Sequence, residues 1–203
     1  MQIGIKIGLW VVVGILSFLV YQSIAGKIEF EEQTYARRSA VIQNLKDIRT
    51  AQMAFKSVNG RYAEDFEQLL YFVKNDSFPM IKALGMVPDT MSEAQAVQLG
   101  LVTRDTSYIS IKDSIFSPRY LKDHLKAFYI DSLAYIPFGN GVKFDFNAGF
   151  VEKGKVRVSV FAVFAAFEHV YRGLDTSNEA IDLGEGLQVG SMDDPSTSGN
   201  WGE

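Results

Sequence analysis

Twenty residues, Ile7 to Gly26, carry no charge and lie between Lys6 and Lys27. As a helix rising 1.5 Å per residue, the run would be about 30 Å long, the thickness of a bilayer's hydrocarbon core. Trp10 and Tyr21 stand toward opposite ends of the run, where interfacial aromatics sit. Its polar members, Gln22 and Ser23, lie near the far end, within reach of headgroups. β-branched residues on every face suit lipid better than a one-sided core. The expected arrangement is an uncleaved membrane anchor over 1–26. Ser23-Ile24-Ala25 also fits a small-x-small cleavage pattern, so a removed signal peptide is the competing reading. The stretch from Ile7 to Tyr21 sits at or beyond the top of the usual ~7–15-residue signal core.

Flanking charge does not orient the anchor. Lys27 is followed by Glu29, Glu31 and Glu32, with Arg37 and Arg38 beyond. A short amino terminus inside and an exported bulk is the usual arrangement for such a chain. About 175 residues then remain outside the membrane, enough for one domain with its own core. Aromatics make up 13% and charged residues 22%, a globular composition. The net charge of −4 comes without a basic stripe, which argues against nucleic acid as a partner. Cysteine is absent, so disulfides, thiol catalysis and thiolate metal sites are excluded.

Beyond the anchor, no Gly or Pro occurs from Glu31 to Val58. Val41, Leu45, Ile48, Gln52 and Phe55 recur every three or four residues, a helical stripe with one polar interruption. Ala51 and Ala54 permit close packing on an adjacent face. Arg37, Arg38, Lys46, Asp47, Arg49 and Lys56 are assigned to other faces. Asn59-Gly60 closes this stalk helix, which is placed at 27–60. Gly26-Lys27-Ile28-Glu29-Phe30 reads as a hinge between anchor and stalk.

The domain over 61–186 is expected to begin with a second helix, Tyr62 to Lys74. A loop-rich stretch over 80–107 follows, with Pro88 in it and a short helix from Ser92 to Leu99 stopped by Gly100. Tyr108 to Ile111 is a weak strand candidate. Leu133–Phe138 and Val142–Phe146 read as a hairpin through Gly139-Asn140-Gly141. A second hairpin joins Ala148–Glu152 to Val156–Phe164 across Lys153-Gly154-Lys155. Phe161 to Phe167 reads as a central strand buried on both faces. The fold class is α+β, a stalk helix packed on a late antiparallel meander.

Ile48-Arg49-Thr50-Ala51-Gln52, then Phe55, Asn59-Gly60 and Tyr62, resembles the end of the first helix in type IV pilins and type II secretion pseudopilins. The resemblance covers roughly residues 7–73. Leu45 to Val73 also looks like membrane-anchored envelope proteins of Bacteroidota. The resemblance implies a pilin-like body at the bacterial inner membrane, with its carboxy-terminal domain in the periplasm. It implies a non-catalytic structural subunit of a secretion- or pilus-like assembly, working in a hetero-oligomer with other protein subunits. Leu45, Ile48 and Phe55 would then be packing residues. The pilin pattern has a Glu shortly after the processing glycine. Here Gly4, Gly8 and Gly14 have none at that position, and no acidic residue precedes Glu29. A membrane-anchored adaptor that binds a larger envelope complex without polymerising is therefore the alternative.

The tail over 187–203 is rich in Gly, Asp and Ser and ends Gly199-Asn200-Trp201-Gly202-Glu203. It resembles the carboxy-terminal loop of the major pseudopilin, which a calcium ion orders. The match implies a calcium set of Asp193, Asp194 and Ser191, with the carbonyls of Leu187 and Val189. The competing reading is a polar tail anchored only by Trp201 on the core. The two histidines, His124 and His169, share no catalytic motif and are expected to be structural or exposed. No enzyme activity is expected.

Overall fold

A computed structural model describes residues 2–85, 92–99, 101–122, 124, 127–177 and 179–202. A single helix, α1, runs unbroken from Gln2 to Asn59. The hinge expected at Gly26 is therefore not a break. One glycine costs a helix only about 1 kcal/mol, too little to interrupt a helix that continues on both sides. The amino-terminal half of α1 is bare: Leu9, Trp10, Phe18 and Tyr21 are all exposed. This half is long and apolar enough to cross a membrane.

Burial begins at Val41. Val41, Leu45, Ile48, Ala51 and Phe55 turn one face of α1 into the core. Each fully buried side chain of this size contributes roughly 1.5–3 kcal/mol, against a few tenths for an exposed ion pair on the opposite face. The apolar stripe therefore sets how the helix sits. Gln52, the polar interruption, is fully buried. Its amide donates to the Ala63 carbonyl at 3.2 Å and accepts from the Ala63 N–H at 2.9 Å. Gly60, at φ +72°, ends the helix as expected.

A loop at 61–65 precedes α2, which spans Phe66–Asn75 and so starts later than Tyr62. Asp65 caps it by accepting from Gln68 N–H at 2.8 Å. Phe55 meets Phe72 edge-on, with ring centres 4.9 Å apart. The next segment corrects the expected loop. Ser77–Gly85 is β1 and Val102–Ser110 is β2, paired antiparallel. Between them lies α3, Glu93–Gln98. It opens on a capping box in which Ser92 N–H donates to Gln95 Oε1 and Gln95 N–H to Ser92 Oγ. Pro88 and Gly100 lie outside the described residues. Two short helices follow, α4 at Ile111–Ile115 and α5 at Pro118–Leu121, then a 3-10 turn at Ile130–Ser132.

The expected hairpin over 133–146 survives only as local pairing. Ile136 N–H donates to Val142 O, Phe144 N–H to Ala134 O, and Tyr135 bridges Lys143. The second hairpin forms as read. β3 covers Asp145–Lys153 and β4 covers Val156–Ala166. Lys153 pairs with Val156, leaving a two-residue turn with Gly154 at φ +66°. β5, Gly186–Ser191, pairs along the other side of β4. This corrects the reading of 187–191 as tail. The short helix α6, Phe167–Val170, follows β4 directly.

The sheet order β3-β4-β5 makes β4 central. Its Phe161, Val163 and Ala165 share the inner core with Leu187, Val189 and the stripe of α1. Val160 and Ala162 on its other face are buried too. Met192 helps cover that face, its Cε lying 3.3 Å from where a Cβ on Gly149 would stand, opposite Val160. The architecture is thus α+β, a long amino-terminal helix packed on a late three-stranded antiparallel sheet. Replacing Gln52 with Leu keeps the volume but leaves both polar groups of Ala63 unpaired. Urea unfolding of the detergent-solubilised chain is expected to show a loss on the order of 2–4 kcal/mol.

Candidate functional site

The least expected side chain in the core is Asp47, an acid on α1 with 1% of its surface exposed. The sequence places it on a face other than the apolar stripe. It lies instead one turn before Ala51, beside the apolar stripe. Three side chains converge on it. Tyr120 OH donates to Oδ1 at 2.9 Å, and Gln43 Nε2 donates to the same oxygen at 3.1 Å. His124 Nε2 lies 3.1 Å from Oδ1 and 3.0 Å from Oδ2. Tyr120 is in turn 3.4 Å from the hydroxyl of Thr50, a turn further along α1. Gln43 is one turn earlier, so α1 supplies three members of the cluster at helical spacing.

The other two come from α5 and the segment after it. Ser117 caps α5, accepting from Tyr120 N–H at 3.4 Å, and Pro118 opens its first turn. His124 N–H donates to Leu121 O at 3.1 Å, which turns the imidazole back toward α1. The Phe128 ring stands 6.0 Å from the imidazole and 4.4 Å from Phe116, an apolar wall behind the pair. Gln43 Nε2 also lies 3.1 Å from His124 Nε2, so the carboxylate, the amide and the imidazole are in mutual contact.

Burial pushes the Asp47 carboxyl above its ordinary range, while the bonds from Tyr120 and His124, the His124 charge and the Gln43 bond pull the other way. Burial also pushes the Tyr120 phenol up to about 12, with the neighbouring carboxylate adding to the rise. An acid and an imidazole in contact are two of the three members of a nucleophile-activating triad. The third is not assembled: among the described residues no serine hydroxyl is hydrogen-bonded to His124. His169, in α6, stands apart with its Nδ1 buried and unpartnered.

No family model, curated protein or solved structure matches this chain. The site is therefore argued from its geometry alone.

The residues singled out in the tail are held differently from a cation cage. Asp194 pairs with Lys153. Ser191 Oγ already accepts from the N–H groups of Asp193 and Asp194, at 3.1 and 3.3 Å. Among the described residues no three acidic, histidine or cysteine side chains gather as a metal site. Calcium takes six to eight oxygens, and this set offers two carboxylates, one already paired, an occupied hydroxyl, and the carbonyls of Leu187 and Val189, which lie in β5. The donors present do not fit the ion.

The tail is nonetheless ordered, by more than Trp201. Gly190 N–H donates to Ser198 O and Asn200 N–H to Gln188 O, both at 3.0 Å. The Asn200 side chain accepts from Gln188 N–H at 3.0 Å and donates to Gly186 O at 2.8 Å. Residues 198–200 thus lie along the outer edge of β5. Arg49 reaches Thr197 O at 3.4 Å, and the half-buried Trp201 packs onto the core beside Arg38 and Ile42. Leu45, Ile48 and Phe55 are buried as expected, whereas Trp10 and Tyr21 are exposed on the bare half of α1.

Position in sequence hides the Asp47 cluster. His124 is 77 residues away, and Asp47 sits among Lys46 and Arg49 in an ordinary charged stretch. The one signal was helical spacing, since Gln43, Asp47 and Thr50 recur every four and three residues. The folded chain holds the Asp47 proton more tightly than the unfolded chain does. Stability should therefore fall as pH rises from about 4 through the raised folded value. Asp47→Asn, which does not titrate, should lose that decline in urea unfolding across a pH series; parallel profiles for the two chains would contradict it. A chelator such as EDTA should leave the thermal midpoint unchanged, because the tail is ordered by its own hydrogen bonds.

Proposed function

We propose that this chain is a non-catalytic structural subunit of an envelope assembly of the type II secretion or type IV pilus kind. In this reading it is anchored in the bacterial inner membrane and its carboxy-terminal domain faces the periplasm. The observation that carries the proposal is the continuity of α1. One helix supplies both a bare apolar span and the central packing face of an α+β domain. An anchor that only tethers an enzyme needs a linker, not an unbroken helix shared with the core. Here the body also sits close to the end of the apolar run. Gly173, Leu174 and Asp175 line a depression together with Gly26, Lys27 and Phe30. Arg37 pins the two parts by donating to Arg172 O at 2.7 Å and to Val170 O at 3.3 Å.

The order of parts supports the same reading. Membrane helix, amphipathic continuation and Asn-Gly stop lie within the pilin-like sequence resemblance over 7–73, and an antiparallel sheet comes late in the chain, from Asp145 to Ser191. A second reading has a specific observation behind it. No acidic residue precedes Glu29, so the span lacks the carboxylate by which pilin helices pair. A fixed adaptor, bound to a larger envelope complex without polymerising, fits that absence.

Mild-detergent extraction followed by affinity isolation of the full chain tests the proposal. Co-isolation of other envelope proteins in fixed ratio is the expected result, and a monodisperse species without them would overturn both readings. Chemical cross-linking in cells separates the two: a ladder of homo-oligomers indicates stacking, and one hetero-adduct indicates the adaptor.

A further inference from the structure

The network around Asp47 leaves one acceptor position open. Oδ1 takes the bonds of Tyr120 and Gln43 and lies 3.1 Å from His124 Nε2, whereas Oδ2 has His124 alone among the described residues, at 3.0 Å. An ionised carboxylate offers about four acceptor positions. Asp47 also lines a cavity of about 70 Å³ between α1 and the segment 127–137. Asp47, His124, Gln43, Asn44 and Ser132 bring polar groups to it, and Ala127, Phe128 and Leu133 contribute to its apolar side.

Space and chemistry narrow the occupant. About 70 Å³ suits a group of roughly four or five non-hydrogen atoms, or a few waters. Waters need two to four polar partners each, and the apolar side of this cavity offers few. An occupant with an apolar body and one polar head matches the walls better. The head must donate, because the open position is a carboxylate lone pair. A positive head also offsets the cost of holding that carboxylate out of water, the cost that raises its pKa. An anionic head would meet Asp47 at close range and be repelled.

We propose that this cavity binds a primary alkylammonium group, its short unbranched chain against Phe128 and Leu133 and its nitrogen on Asp47 Oδ2. The group belongs either to a free amine or to a lysine side chain of a neighbouring protein, which present the same chemistry.

The test uses the full chain in detergent, at constant ionic strength, with three probes of equal length: n-butylammonium, 1-butanol and butyrate. At tens of millimolar, n-butylammonium should raise the thermal midpoint by about 2 °C or more, and the other two should not. Ala40→Leu, which fills the cavity from α1, and Asp47→Asn should each abolish the rise. No rise, an equal rise with 1-butanol, or a rise that persists in Ala40→Leu would overturn the proposal. The three-probe comparison on the unaltered chain stands if either variant fails to fold. Lysine blocked at both its amino and carboxyl ends identifies the source. A rise with it points to a lysine side chain, and a rise with n-butylammonium alone points to a free amine.

Discussion

Four turns of α1, the face from Val41 to Phe55, meet the sheet, α2 and α4, so the positions of these elements follow from it, and the β1–β2 ribbon is held at one remove through α2 and α4. The sheet alone could not do this. Three strands with one buried face need a partner layer, and β4, buried on both sides, needs cover front and back. The front comes from α1 and the back in part from Met192. The rings of Tyr62 and Phe161 close the corner where the stalk ends, their centres 4.6 Å apart.

Two polar residues on that half of the helix do work that apolar ones could not. Apolar contacts are non-directional and would tolerate a slide of the helix along the sheet. Gln52 permits none, because both ends of its amide are matched to one residue, Ala63. Asp47 sets register in the same way toward a different part of the chain, drawing in Tyr120 and His124. Burying an acid costs several kcal/mol before its partners are counted, so its gain lies in placement more than in stability.

What could be read from the residues alone was whatever depends on local periodicity. The stripe of α1, its Asn59-Gly60 stop, the Lys153-Gly154-Lys155 turn and the buried β4 all follow from spacing within one element. Of the β1–β2 ribbon only Tyr108 to Ser110 reads as strand, because Pro79 and the weak alternation of the rest resemble a loop. β5 was missed because its glycines read as a flexible tail. They serve close approach instead: a Cβ at Gly186 would fall 2.1 Å from Ala165 O, and one at Gly190 would fall 2.2 Å from Phe161 O. Glycine in a loop and glycine under a neighbouring strand look identical in sequence. The Asp47 cluster was illegible for another reason, since its members meet only after the chain has turned through two short helices.

The unbroken helix has a mechanical consequence. A span joined to a domain through a flexible linker isolates the domain from what the membrane does. Under the proposed anchoring, a helix that is also the domain's central beam would act as a lever with its fulcrum in the lipid. From the middle of the apolar run to Asp47 the arm is about 45 Å long. A 10° change in tilt at the fulcrum carries Asp47 sideways by about 8 Å, and the sheet, packed on the same beam, travels with it. Bilayer thickness or a neighbouring helix, each of which sets tilt, would thereby steer the whole surface of the domain as one piece.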